Sequence, residues 1–134
     1  MIPKETSLSL QKILLVDDDK TFIALNRAVL KYSDVDCRID DCRNGKEALD
    51  YITSTEQQPD VILLDIDMPV MNGLEFLEQL KKQTTLTGRA KVFMLSSSCS
   101  DHSKVTSLQY PFVKGFFEKP LKDNHVQQIL SLFQ

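Results

Sequence analysis

Blocks of apolar residues alternate with polar stretches along the chain, and this pattern predicts strands separated by helices. Four short apolar runs are typical of strands buried on both faces, at 13–16, 61–64, 91–95 and 115–117. Val35, Cys37 and Ile39 alternate with polar residues, which predicts a half-exposed fifth strand near the edge of a sheet. Asn44-Gly45 then predicts a turn.

Apolar residues recur at three- and four-residue steps between these strands, which predicts amphipathic helices. The clearest pattern spans 20–31 and follows Asp19, a candidate for the N-terminal cap. Similar stripes predict three more helices, at 48–52, 74–80 and 126–133. Residues 101–110 contain few apolar side chains, and Pro111 prevents a helix from continuing, so we expect a short helix there.

The alternation of strands and helices predicts one α/β domain in three layers, with helices on both faces of a five-stranded parallel sheet. Crossovers between parallel strands are right-handed, which makes the predicted arrangement a doubly wound (βα)5 sandwich. The 134 residues, of which 42% are hydrophobic, can bury one core and leave no room for a second. Residues 1–11 are polar and without period, so we expect a tail before a domain spanning 12–134.

Charge and cysteine content narrow the class of protein. A net charge of -3 and a pI near 5.3 argue against the phosphate binding with which most nucleic-acid recognition begins, so we expect no DNA partner. Cys37, Cys42 and Cys99 have neither paired nor zinc-finger spacing, which favours a reducing compartment. The apolar runs are too short for a signal peptide core or a membrane span. We therefore expect a cytoplasmic protein without a membrane partner.

Polar and charged side chains follow the predicted strands where each strand ends: Asp17 and Asp18, Asp65, Ser96 and Lys119. Parallel strands bring their carboxyl ends to one edge of the sheet, where ligands bind in open α/β folds. These five side chains should therefore share one pocket.

Three neighbouring carboxylates repel each other, and the pKa of at least one rises unless a cation offsets the charge. Oxygen ligands of this kind suit Mg²⁺, which commonly combines one or two carboxylates with water and phosphate oxygens. A carboxylate surrounded by a metal ion, a lysine and a hydroxyl has the groups needed to accept a phosphoryl group as a nucleophile. The predicted product is an aspartyl phosphate.

These motifs together resemble the receiver domain of two-component response regulators, in the single-domain form of the chemotaxis regulators. The resemblance rests on the paired acids, the Asp-x-Asp-x-Pro-x-x-x-Gly motif from Asp65 to Gly73, the strand-end Ser96 and the Lys119-Pro120 pair. It covers residues 12–133. It implies a flavodoxin-like sheet of order 2-1-3-4-5 and a cis peptide bond before Pro120.

The resemblance also implies roles for the site residues. Asp65 is the phosphoacceptor, and the donor is a sensor histidine kinase or a histidine phosphotransfer protein. Mg²⁺ is bound by Asp18, by Asp65 and by the main-chain carbonyl of Asp67, with Asp17 acting through a metal-bound water. The protein is not an enzyme beyond its own phosphorylation and dephosphorylation.

The remaining implied roles concern signal output. Ser96 and Lys119 contact the phosphoryl group, and Ser96 and Phe116 form the switch. Asp67, Ser97 and Ser98 tune the lifetime of the phosphoryl group. The output surface spans about 101–133 and contacts a downstream protein that the sequence does not identify. Tyr110-Pro111 departs from the usual pattern of this surface.

Two other functions are weighed against this interpretation. A haloacid-dehalogenase-like phosphatase also uses an Asp-x-Asp motif, which Asp65 and Asp67 match, but that motif normally opens its fold and an acidic pair is expected after the lysine. A receiver-like binding module that takes no phosphate is disfavoured by the complete set of acids. His102 and His125 lack partners at ligand spacing, and we expect both at the surface.

Overall fold

The computed structural model describes residues 10–83, 90–97 and 101–133. Its five strands are β1 (Lys12–Val16), β2 (Arg38–Cys42), β3 (Val61–Leu64), β4 (Lys91–Ser96) and β5 (Val113–Glu118). Five helices lie within these ranges: α1 (Lys20–Tyr32), α2 (Gly45–Ser54), α3 (Gly73–Lys81), α4 (Asp101–Leu108) and α5 (Asp123–Ser131). No helix in these ranges is long and apolar enough to cross a membrane.

The strands form one parallel sheet of order β2-β1-β3-β4-β5, which confirms the predicted fold and the strand order implied by the resemblance. In register, Val16 lies beside Cys42 on one side and Leu64 on the other, so the central strands end together. The residues that follow Val16 and Leu64 therefore meet at the same edge of the sheet.

Two apolar cores cover the two faces of the sheet. One contains Ala48 of α2 and Phe76 of α3, and the other contains Leu30 of α1 and Val126 of α5. All four side chains have 1% or less of their surface exposed, so the helices are tightly docked. The predicted three-layer arrangement is thereby confirmed.

The second strand begins later than its alternating pattern predicts. The ladder starts at Arg38, whereas Val35 and Cys37 precede it and pack half-buried against the core on the α1 side. The alternation of apolar and polar residues indicates which side chains face the core. Residues that precede a strand can also face the core, so the pattern does not fix where the strand begins. Val35 instead donates its N–H to Leu30 O at 3.0 Å, which closes the end of α1.

The Asn44-Gly45 pair, predicted as a turn, begins a helix. Asn44 is the N-cap of α2, and its side-chain oxygen accepts a hydrogen bond from the N–H of Glu47 at 2.9 Å. Asp19 caps α1 as predicted, because its carboxylate accepts from the N–H of Thr21 at 2.8 Å.

Helix α4 is short, as its weak pattern predicts, and it ends before Pro111. Its two larger apolar side chains, Val105 and Leu108, stay exposed, whereas Ser107 is buried. The predicted connection at 83–89 and the predicted tail at 1–11 fall mostly outside the described residues, and Ser98 and Cys99 fall outside them entirely.

Candidate functional site

Asp65 follows β3 directly and is held by the backbone around it. Its N–H donates to Val16 O at 2.9 Å, and its Oδ1 accepts from the N–H of Ile66 at 2.8 Å. Its side chain has 7% of its surface exposed. A Cβ on Gly73 would lie 2.2 Å from Asp65 O, so only glycine lets α3 begin this close to the phosphoacceptor candidate. The close approach explains the glycine of the Asp65–Gly73 motif.

Asp17 and Asp18 follow β1, one strand away from Asp65. Asp17 is buried, donates its N–H to Cys42 O at 3.0 Å, and accepts from the N–H of Asp19 through Oδ1 at 2.9 Å. Asp18 is exposed. Asp19, whose N–H orients Asp17, also caps α1 through its side chain, so one residue fixes both the acid pocket and the start of this helix.

Lys119 brings a cation into the pocket from β5. Its Nζ lies 2.7 Å from Asp17 Oδ2 and 3.4 Å from Asp65 Oδ2, and only 5% of its side chain is exposed. Its N–H donates to Ser96 O at 2.7 Å, which ties the ends of β4 and β5 together. The Lys119-Pro120 peptide bond is cis, as the resemblance implied.

The electrostatics of the pocket are dominated by Asp65. Burial, followed by repulsion from Asp17, raises the pKa of Asp65 to about 6. Lys119 and the hydrogen bond from the N–H of Ile66 act in the opposite direction without cancelling the rise. The pocket therefore holds more negative charge than its lysine neutralises, and a further cation would be stabilised there.

The donor atoms fit a hard divalent cation. Asp17, Asp18 and Asp65 each offer a carboxylate oxygen, and these atoms lie within 4.8 Å of one another. Asp17 Oδ2 is buried and meets Lys119 as an ion pair, while no donor in the described ranges reaches it with hydrogen-bond geometry. Such an oxygen can accept a hydrogen bond from a metal-bound water, so the set suits Mg²⁺.

The structure brings most of the predicted site residues to this edge of the sheet. Ser96 is buried at the end of β4, and Ser97, the next residue, is exposed. Asp67 is exposed in the loop after Asp65. Phe116 lies half-buried on the face of the sheet covered by α2 and α3.

Two features were not predicted from the sequence. The ring of Phe22 in α1 lies under the Lys119 ammonium, with 4.2 Å between Nζ and the ring centroid. Lys12, at the opposite edge of the sheet, is buried and donates to Gln57 O at 2.7 Å. No pattern separates these residues from ordinary helix and strand positions.

His125, expected at the surface, is only partly exposed. Its ring is half-buried and stacks on Phe117 at 4.4 Å between centroids, and its Nδ1 accepts from the N–H of Lys122 at 3.1 Å. His102 is exposed, as expected. A histidine at the third position of a helix can reach back to the cap, and this spacing was the available signal.

The fold and the pocket define a doubly wound α/β domain with an acid cluster and a lysine at the carboxyl edge of its sheet. The chain belongs to the response regulator receiver domain family, whose family model matches residues 13–131. This membership confirms the resemblance seen in the sequence. Receiver domains generally bind Mg²⁺ at an acidic pocket and interact with histidine kinases or phosphotransfer proteins.

Comparisons with individual proteins agree with this assignment. A two-component response regulator from Cytophaga hutchinsonii has a TM-score of 0.85 at 24% identity, covering 92% of this chain and 96% of that one. The bacteriophytochrome response regulator AtBRR has a TM-score of 0.80 at 30% identity, covering 92% of both chains.

A protein-glutamate methylesterase/protein-glutamine glutaminase from Treponema denticola is 37% identical over 95 residues. The match covers 71% of this chain but only 24% of that relative. The similarity to this relative therefore lies in its receiver part, and its enzymatic name describes that protein alone.

Proposed function

We propose that the chain is the phosphoacceptor of a two-component or phosphorelay system and is phosphorylated on Asp65. The observation that carries this proposal is one buried carboxylate, Asp65, which faces Lys119. One of its oxygens lies within 4.8 Å of carboxylate oxygens of Asp17 and Asp18. A buried, locally fixed carboxylate with a neighbouring cation is suited to act as a nucleophile toward a phosphoryl group.

The donor would be a phosphohistidine of a sensor kinase or of a histidine phosphotransfer protein. An Asp65 oxygen attacks phosphorus, the phosphorus–nitrogen bond breaks, and the imidazole leaves with its electron pair and takes up a proton. The product is an acyl phosphate on Asp65. Lys119, already within 3.4 Å of the Asp65 carboxylate, would pair with the added negative charge.

Mg²⁺, when bound, would neutralise charge on the phosphoryl oxygens. Asp18 and Asp65 would hold it with the main-chain carbonyl of Asp67, and Asp17 would bind through a water. Asp17 Oδ2, which meets Lys119 as an ion pair but accepts no hydrogen bond from a described donor, supports this last role.

Signal output would follow from a change of surface. Ser96 would approach the phosphoryl group, and Phe116 would turn inward as the switch. Asp67 and Ser97 are exposed near the ends of their strands and would tune access of water and of donors, as would Ser98. The downstream partner would be a protein that contacts 101–133.

A phosphorylation assay tests the proposed function. Incubation with acetyl phosphate and Mg²⁺ should add one hydrolysable phosphoryl group per chain, measured by intact mass. Asp65→Asn should abolish the addition, whereas Asp50→Asn, which alters an exposed acid on α2, should leave it unchanged. Steady hydrolysis of phosphomonoesters over many turnovers would instead support a phosphatase. If no phosphoryl group is added at all, the result would support a binding module that takes no phosphate.

The Lys119→Ala protein separates phosphorylation from signalling. We expect it to be phosphorylated in part, because Asp65 and the acid cluster remain, but not to relay the change, because the cation between Asp17 and Asp65 is lost. Intact mass measures the first property, and amide chemical shifts of residues 101–118 with and without acetyl phosphate measure the second. A wild-type shift response in this variant would contradict the role given to Lys119.

A further inference from the structure

We propose that Phe22 is a positioning residue that holds the Lys119 ammonium toward Asp65 and keeps water away from the phosphorylated carboxylate. This inference rests on the proposed phosphorylation of Asp65. It adds a residue of α1 to a site otherwise built from loops at the ends of strands.

The contacts around Lys119 come from three directions. Asp17 Oδ2 lies 2.7 Å from Nζ, Asp65 Oδ2 lies 3.4 Å away, and the Phe22 ring centroid lies 4.2 Å away. An ammonium has three N–H donors and no acceptor. Two carboxylate oxygens lie close enough to pair with the ammonium charge, and the ring face is the third described group beside it.

The ring suits this place because an aromatic face carries negative charge density and attracts a cation within about 6 Å. The attraction is larger where the cation has lost its water, and the Lys119 side chain is almost fully buried. Phe22 is itself fixed in the first turn of α1, immediately after the Asp19 cap that also orients Asp17. The ring and one of the two carboxylates are thus held by the same turn.

An aliphatic side chain at this position would leave one buried N–H of Lys119 without a partner. Such a donor is costly unless water reaches it, so the loss of the ring would admit water beside Asp65. Hydrolysis of the acyl phosphate needs such a water. Its oxygen attacks phosphorus, the phosphorus–oxygen bond to Asp65 breaks, and inorganic phosphate and a proton leave while the carboxylate is restored.

The chain offers a matched control for the loss of a lysine–ring contact. Lys91 Nζ lies 5.1 Å from the ring centroid of Phe133, at the start of β4 and therefore at the edge of the sheet opposite Ser96. Phe133→Leu makes the same chemical change as Phe22→Leu, away from the phosphorylation site.

The experiment measures loss of the phosphoryl group by intact mass after the donor is removed from acetyl phosphate-treated protein. We expect Phe22→Leu to shorten the half-life about threefold to tenfold, and Phe22→Tyr and Phe133→Leu to stay within about twofold of the wild type. In a Lys119→Ala background, Phe22→Leu should have no further effect, because Phe22 acts through Lys119. Phe22→Met, which keeps bulk without a ring, should reproduce Phe22→Leu if the latter lowers the melting temperature.

Any of three results would overturn the inference while leaving the proposed function intact. The first is an unchanged half-life of the phosphoryl group in both Phe22→Leu and Phe22→Met. The second is a half-life in Phe22→Tyr as short as in Phe22→Leu, and the third is a full effect of Phe22→Leu in the Lys119→Ala background. A wild-type protein that takes no phosphoryl group would instead contradict the proposed function itself, and this inference would fall with it.

Discussion

At the scale of single residues, the environment proposed to make Asp65 reactive also lowers the stability of the fold. The carboxylate is buried beside Asp17, and Lys119 lies closer to Asp17 than to Asp65. The pKa of Asp65 is consequently raised from 3.8 to about 6. A charged Asp65 thus destabilises the metal-free protein at neutral pH, and binding of a cation would relieve the repulsion.

The cost predicts how stability depends on pH without metal. Folded Asp65 binds its proton more tightly than unfolded Asp65, so its contribution is fully present below pH 4 and is lost as pH rises through 6. In EDTA, Asp65→Asn should therefore be more stable than the wild type by roughly 1 to 3 kcal/mol at pH 8, with the advantage gone near pH 4. Urea unfolding across this range measures it, and a difference independent of pH would contradict it.

The sequence predicts those site residues whose position follows from topology. Asp17, Asp65 and Lys119 could be placed together because each directly follows a parallel strand, and parallel strands end at one edge. Phe22 could not, because its contact with Lys119 depends on how α1 packs across the sheet. The ring contact of His125 could not be predicted for a similar reason, because its stacking on Phe117 depends on the docking of α5.

At the scale of secondary structure, α5 depends on a histidine for its first turn. His125 Nδ1 accepts from the N–H of Lys122, which precedes the helix, and this bond requires an unprotonated Nδ1. Burial and the nearby Lys122 charge lower the pKa of His125 below its ordinary value. The positive end of the helix dipole also disfavours a charged imidazole at this position.

This cap predicts a loss of stability in mild acid. The folded pKa of His125 lies below the unfolded value of 6.5, so the stabilisation is present above pH 6.5 and is lost as pH falls through the folded pKa. Between pH 7.5 and 5.5, urea unfolding should show the wild type losing more stability than His125→Gln, since glutamine can make the same bond without titrating.

Two controls belong to this comparison. The titration of Asp65 is common to the wild type and His125→Gln, so it cancels in their difference. His102→Gln, which changes an exposed histidine, should keep the wild-type loss. An equal loss in His125→Gln would show that the cap does not titrate in this range.

The limits of the elements were predicted less well than their existence. All five strands were expected, but β2 begins at Arg38 because its ladder pairs with Lys12, a constraint that no local pattern contains. Asn44-Gly45 was expected to be a turn because this pair is common in turns. In the structure the pair begins a helix, and the Gly45 N–H donates to Met71 O at 2.8 Å, which packs the start of the helix against the loop after Asp65. Tertiary contacts decided both positions.

At the scale of the whole molecule, the proposed phosphorylation site is connected more directly to one side of the sheet than to the other. Helix α3 begins at Gly73, which lies against Asp65, and carries Glu78. The Glu78 carboxylate accepts a hydrogen bond from the hydroxyl of Tyr110 at 2.7 Å, just before β5. Tyr110 and Phe116 pack against the same core. This chain of contacts leads from Asp65 to the predicted output surface, and it passes through the residue pair that departs from the family pattern.

The connection predicts where a phosphoryl mimic will act. Beryllofluoride with Mg²⁺, which imitates a phosphoryl group on Asp65, should shift the amide resonances of 65–73, 96–97 and 101–118 most. The cluster at the opposite edge, where Lys12 donates to Gln57 O and lies over the Tyr51 ring, should shift least because it lies at the far ends of the strands from Asp65. Asp65→Asn should show no shifts, which controls for unspecific binding of the mimic. Shifts confined to 65–73 would mean that occupancy of Asp65 is not relayed to the predicted output surface. Equal shifts at both edges would mean that the whole sheet moves and that the contact between Glu78 and Tyr110 is not the route of the change.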